Sequence, residues 1–154
     1  MDRRTARSLR VPSGYSLRGS YSEGPIYGGF GNDRVQTAFF FARSELMGDM
    51  MYPLVVYAAP AGASNLRWTE NRDGELLNIG GVTALYHDGI WAPGPGYGEQ
   101  KMPDGGVIHW RRDTFHSLRI DTDERSLAVR GSRSHGVELR ELVGLAGSVV
   151  ERSA

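Results

Sequence analysis

The sequence predicts an α+β fold, a single curved antiparallel sheet of about six to eight strands packed on a C-terminal amphipathic helix. Two observations carry that class. The stretch "SHGVELRELVGLAGSVVERS" sets Leu139, Leu142, Val143, Ala146, Val149 and Val150 at spacings of three and four, one apolar stripe along a helix. Upstream, short β-branched and aromatic runs recur between glycine, proline and aspartate turn signals.

The elements follow in chain order. The basic start "MDRRTARSLR" lacks a continuous apolar segment behind its arginines, so residues 1–10 are expected to be a mobile arm and 11–154 one domain. "VPSGYSLRGSY" turns at its proline and glycine and then alternates, placing Tyr15 and Leu17 on one side of a first strand. "SEGPIYGGFGND" is dense in glycine and reads as a loop. "RVQTAFFFAR" and "YPLVVYAAP" are strand-length runs expected to be well buried. Between them, Met47, Met50 and Met51 read as a flexible apolar cover. "GELLNIGGVTALYHDGIWA" reads as two strands joined at Gly80 and Gly81, with a turn at Asp88 and Gly89. "PGPGYGEQKMPDGG" is expected to be an irregular flap over a neighbouring face. "GGVIHWRRDTFHSLRI" and "RSLAVRG" read as strands of a half-exposed sheet. For the last helix, Ser134 or Gly136 is the expected start, and Gly144 and Gly147 are expected to allow close packing onto a strand.

Composition excludes several chemistries. The 154 residues contain no cysteine, which removes disulfides, thiolate metal sites and cysteine nucleophiles. Eighteen basic and eighteen acidic residues cancel, and the basic ones are dispersed, so nucleic acid is not an expected partner. No apolar run reaches the ~18–20 residues of a membrane-spanning helix. Neither GxxxxGK[ST], GxSxG nor HExxH occurs, and the glycine-rich runs lack the strand–loop–helix context of a phosphate or dinucleotide cradle.

What remains is a set of aromatic and titratable candidates. A symmetric turn about Arg112 and Asp113 would set His109 opposite His116 and Trp110 opposite Phe115 in one hairpin. Two facing imidazoles could share a metal, but spacing selects no third ligand, so no metal or other cofactor is expected and the Trp–Phe pair is read as sheet support. His87 and Asp88 are adjacent, which on a strand points them to opposite faces, and Asp88-Gly89 reads as turn chemistry. The two glycine-rich loops carry aromatics that could rim a pocket, giving Tyr27, Phe30, Trp91, Tyr97, Trp110 and Phe115 as candidate ligand-binding residues. The expectation is a non-enzymatic sensing or binding module for a small apolar ligand or partner peptide. The alternative is a small cyclase- or hydrolase-type enzyme whose candidate catalytic residues are His109, His116, Asp88 and Tyr97.

"VPSGY" at 11–15 is similar to a Leu-Pro-x-Gly-Tyr opening, and "IGGVTALY" at 79–86 to a glycine-centred strand with alanine and tyrosine. Trp110, the strand ending at Gly131 and "ELRELVGLAGSV" at 138–149 complete a pattern spanning most of the chain. In these motifs the sequence resembles a family of bacterial, mostly extracytoplasmic domains related to lipoprotein-carrier folds, found in lipoproteins and outside membrane-bound anti-sigma regulators. The resemblance implies a curved antiparallel sheet with a helix on its concave side and an extracytoplasmic setting, and it supplies no catalytic residues. The chain departs from the family in lacking a lipid-attachment cysteine and signal peptide. It also carries a long Pro/Gly insertion from Pro93 to Gly106, and Arg-Arg-Asp follows the tryptophan strand where Asp-Gly is usual.

Overall fold

The computed structural model describes residues 1–21, 37–43, 52–61 and 74–153. Among the described residues ten strands and two helices run in the order α1 (Arg3–Arg7), β1 (Ser16–Tyr21), β2 (Thr37–Ala42), β3 (Leu54–Pro60), β4 (Gly74–Ile79), β5 (Val82–His87), β6 (Ile90–Ala92), β7 (Tyr97–Lys101), β8 (Val107–Arg111), β9 (Phe115–Asp121), β10 (Arg125–Ser132) and α2 (Leu139–Ser153), with a 3₁₀ turn at Arg133–His135. Seven strands form one antiparallel sheet in the order β1-β2-β3-β10-β9-β5-β4, and β6-β8-β7 form a second. The fold is α+β, mostly antiparallel sheet with a C-terminal helix, as the sequence predicts.

The late strand β10 lies at the centre, joining the β1–β3 meander to β9, β5 and β4. Its burial exceeds the half-exposed expectation, because Ser126 and Ala128 are buried along with Leu127 and Val129. One face packs Phe39, Phe41, Val56, Leu118, Ile120, Leu127 and Val129 against Leu142, Leu145, Ala146, Val149 and Val150 of α2. The other carries Ala38, Val55, Tyr57, Ala59 and Ala128 as a second buried cluster. Burial on both faces explains why β2 and β3 read as continuous apolar runs.

The α2 stripe lies against β9, β10 and β4. Its first turn is capped by Glu141, whose Oε2 accepts the Glu138 N–H at 3.1 Å, the return half of a capping box. The helix therefore starts later than Ser134 or Gly136. Those residues belong to the 3₁₀ turn, which Gly136 ends in the left-handed region at φ 78°. Among the described residues a Cβ on Gly144 would meet nothing within 4 Å and one on Gly147 only Ile79 at 3.8 Å, so neither allows the close approach expected of it. That role falls to Gly131 of β10, where a Cβ would lie 2.5 Å from Val137 Cγ1.

Within the stretch expected to be a mobile arm, α1 is capped by Asp2, and Ala6 and Leu9 are buried in the main core. Two apolar residues three apart were masked in the sequence by the arginines around them. The Gly80–Gly81 hairpin forms as expected, both residues having positive φ (58° and 85°). No helix among the described residues is long and apolar enough to cross a membrane.

Candidate functional site

The stretch 93–106, expected to be an irregular flap, contains a strand at its centre and stays irregular on either side of it. Tyr97–Lys101 form β7 and pair with β8, and the connection closes through Met102 N–H to Gly106 O at 2.8 Å and Gly106 N–H to Asp104 Oδ1 at 2.9 Å. An all-exposed strand has no alternating apolar face for the sequence to reveal. Gly98, at φ 62°, lies within the register shift between Tyr97 and Gln100, where a bulge needs a left-handed residue.

This sheet builds an aromatic row. Trp91 and Tyr97 both stand opposite Trp110 of the central strand, and directly opposed residues share a face. Trp110 is only 5% exposed, whereas Trp91 is 38% and Tyr97 64% exposed. The Trp91 and Trp110 rings meet edge to face at 5.6 Å, and His87 of the main sheet approaches Trp110 at 6.0 Å. Asp88 holds the row in place, accepting the Trp110 Nε1–H at 3.4 Å and pairing with Arg112 Nε at 3.1 Å. The Arg112 guanidinium in turn lies 5.0 Å from the Tyr97 ring centroid. Gly89 and Gly96 pass too close to the β8 backbone for any side chain, which lets the β5–β6 turn and the start of β7 press onto Trp110.

Four candidates from the sequence, Asp88, Trp91, Tyr97 and Trp110, are thus brought together. The others are not. The expected hairpin does not form, because β8 pairs with β6 and β7 while β9 pairs with β5 and β10. His109 therefore does not face His116, nor Trp110 Phe115. His109 donates Nδ1–H to Gly98 O at 2.6 Å. Phe115, buried on β9, lies instead under the guanidinium of Arg130 at 4.7 Å. Tyr27, Phe30 and the methionines Met47, Met50 and Met51 lie outside the described residues.

His116 is almost fully buried in the main sheet, and both its nitrogens are occupied. Nε2 bonds the Val137 carbonyl at 2.6 Å, so Nε2 carries the proton and Nδ1 accepts from the Tyr86 hydroxyl at 2.9 Å. Tyr86 in turn accepts from Arg133 at 2.9 Å. Burial holds the imidazole below its ordinary pKa against the opposing Val137 hydrogen bond, and the Arg133 charge adds to the lowering. This chain fastens the turn before α2 to the sheet and leaves the ring no atom with which to ligate or abstract. Among the described residues no three His, Asp or Glu side chains gather as a metal site.

The residues that sequence reasoning overlooked are Arg112 and the Tyr86–Arg133 pair, each of which finds its partner through strand pairing or a distant turn. Comparison of the chain with protein-family models, curated proteins and solved structures finds no match.

Proposed function

We propose that this protein is a binding module whose three-stranded sheet receives an apolar group on the face made by Trp91, Trp110 and Tyr97. The observation that carries the reading is the graded exposure of one row: a buried, hydrogen-bonded Trp110 flanked by two large aromatics left 38% and 64% open. Exposed aromatics fixed by neighbours lose little conformational freedom on binding, which favours their use as contact surface. The resemblance to extracytoplasmic domains related to lipoprotein-carrier folds agrees with such a role. The enzymatic alternative has less support, since His109 and His116 lie in different sheets, and Asp88 is already engaged by Trp110 and Arg112.

Titration with an apolar fluorescent dye, followed by native mass spectrometry against a lipid panel, tests the proposal. Wild-type protein is expected to enhance dye emission, and the folded double variant Trp91→Ser/Tyr97→Ser to lose most of that enhancement. Absence of both dye uptake and bound lipid, or full uptake by the double variant, would overturn it.

A further inference from the structure

A second feature lies on the face of the seven-stranded sheet opposite α2. Strand register sets His87 of β5, Ser117 of β9 and Arg130 of β10 in one transverse row, His87 opposite Ser117 and Ser117 opposite Arg130. Residues so paired point the same way, with Cβ atoms about 4.5–5.5 Å apart. Arg119, two residues along β9 and opposite Ala128, stands on the same face and diagonal to Arg130. Two guanidinium groups and a hydroxyl therefore share a small area in the middle of a sheet. Arg130, Ser117 and Arg119 are each half-buried, so each keeps part of its surface open to solvent.

The state of Arg130 gives this placement meaning. Its guanidinium carbon lies 4.7 Å from the centroid of Phe115 and 5.8 Å from that of Tyr57, both buried rings. Ring faces stabilise a cation but accept no strong hydrogen bond. Its Nε is buried without a hydrogen-bond partner, and among the described residues Arg130 forms no ion pair. Buried polar atoms are ordinarily satisfied, and a planar guanidinium held in place presents a fork matched to two oxygens of one anion. On the same face, the Asp121 carboxylate accepts a hydrogen bond from Ser126.

We infer that this row is an oxyanion site, in which Arg130 grips a carboxylate or phosphate group, Ser117 donates a further hydrogen bond and Arg119 adds positive charge. The inference stands apart from the aromatic face, although His87 borders both features through its contact with Trp110.

Calorimetric titration of the full chain with inorganic phosphate and, separately, with acetate tests it, with ionic strength held constant by chloride. Saturable binding of at least one anion is expected, and the one that binds identifies the group. Arg130→Met, which keeps an apolar stem against Phe115 and Tyr57, should weaken binding by about tenfold or more. Trp91→Ala should leave it unchanged. If Arg130→Met does not fold, the wild-type Arg130 Nε–H resonance provides the readout and should shift on addition of the binding anion. No binding of either anion, undiminished binding by folded Arg130→Met, or an unmoved Nε–H signal would overturn the inference.

Discussion

Replacing Gly131 by alanine should destabilise the protein through a contact that can be worked out atom by atom. The added Cβ would lie 2.5 Å from Val137 Cγ1, 3.1 Å from Val137 Cβ and 3.0 Å from Leu142 Cδ2. Carbon atoms pack comfortably at about 3.5–4.0 Å. Val137 and Leu142 are both buried, and a β-branched valine has few rotamers to turn into. Relief must come from shifting the segment between β10 and α2, an overpacking cost of about 1–3 kcal/mol. Val137→Ala taken alone removes two methyl groups and opens a cavity, a loss of about 2 kcal/mol. In the double variant the alanine methyl at 131 enters the space that Val137 vacates. The combined loss should therefore fall short of the sum by about 1 kcal/mol or more. Urea denaturation of the four proteins, followed by circular dichroism, measures the cycle. Additivity within about 0.3 kcal/mol would refute the argument, because it would mean that the two side chains do not compete for the same volume.

Other consequences follow from the buried polar chain, the hairpin and the N-terminus. His116 is held neutral by burial, so its folded pKa lies below the ordinary histidine value and the unfolded chain binds the proton first. Its contribution to stability is complete above about pH 6.5 and is lost as the pH falls toward the lowered folded value. Denaturation curves from about pH 5 to about pH 7.5, bracketing the ordinary histidine value, should show this slope, and a folded His116→Asn variant should flatten it. Tyr86→Phe leaves His116 Nδ1 without its donor, and should cost about 1–3 kcal/mol in the same assay at neutral pH. At the β4–β5 turn, Gly81→Ala should cost about 1–2 kcal/mol from its positive φ alone, since among the described residues the new Cβ would meet nothing within 4 Å. Gly80→Ala should cost more, because its Cβ would also press Val150 Cγ1 at 3.2 Å; equal losses by thermal melting would contradict this. Leu9→Ala should lower stability by about 2 kcal/mol, while exposed Arg4→Ala should stay within about 0.5 kcal/mol. Equal, negligible effects of those two would mean that the α1 segment does not pack on the core.

Much of the fold was legible because its elements carry strong local signals. The apolar stripe of α2, the runs of β2 and β3 and the double glycine between β4 and β5 each depend on residues close in sequence. Burial of α1 was not legible, since only Ala6 and Leu9 mark it among arginines. Strand β7 was missed because "YGEQK" is exposed throughout and so carries neither of the periodicities that reveal an element. The candidate site was legible in part. Trp91, Tyr97, Trp110 and Asp88 were all singled out, yet the aromatic partner assigned to Trp110 was Phe115 rather than Trp91.

That misassignment has a physical cause. A turn at Arg112 and Asp113 satisfies the local geometry of a hairpin equally well whether the flanking strands pair with each other or part into separate sheets. The choice depends on which strand edges are offered by residues far away. Here β8 is taken by β6 and β7, and β9 by β5 and β10, so the two histidines that lie close in sequence enter different environments. Residue types and periodicity determined that the chain would form antiparallel strands covered by one amphipathic helix, because hydrophobic spacing is written along the chain. Tertiary structure alone decided the row of Trp91, Trp110 and Tyr97, the bonds that occupy His116, and the meeting of His87, Ser117 and Arg130. Each of these is a relation between residues far apart in sequence, set by pairing across the sheet and, for His116, also by the turn that carries Val137.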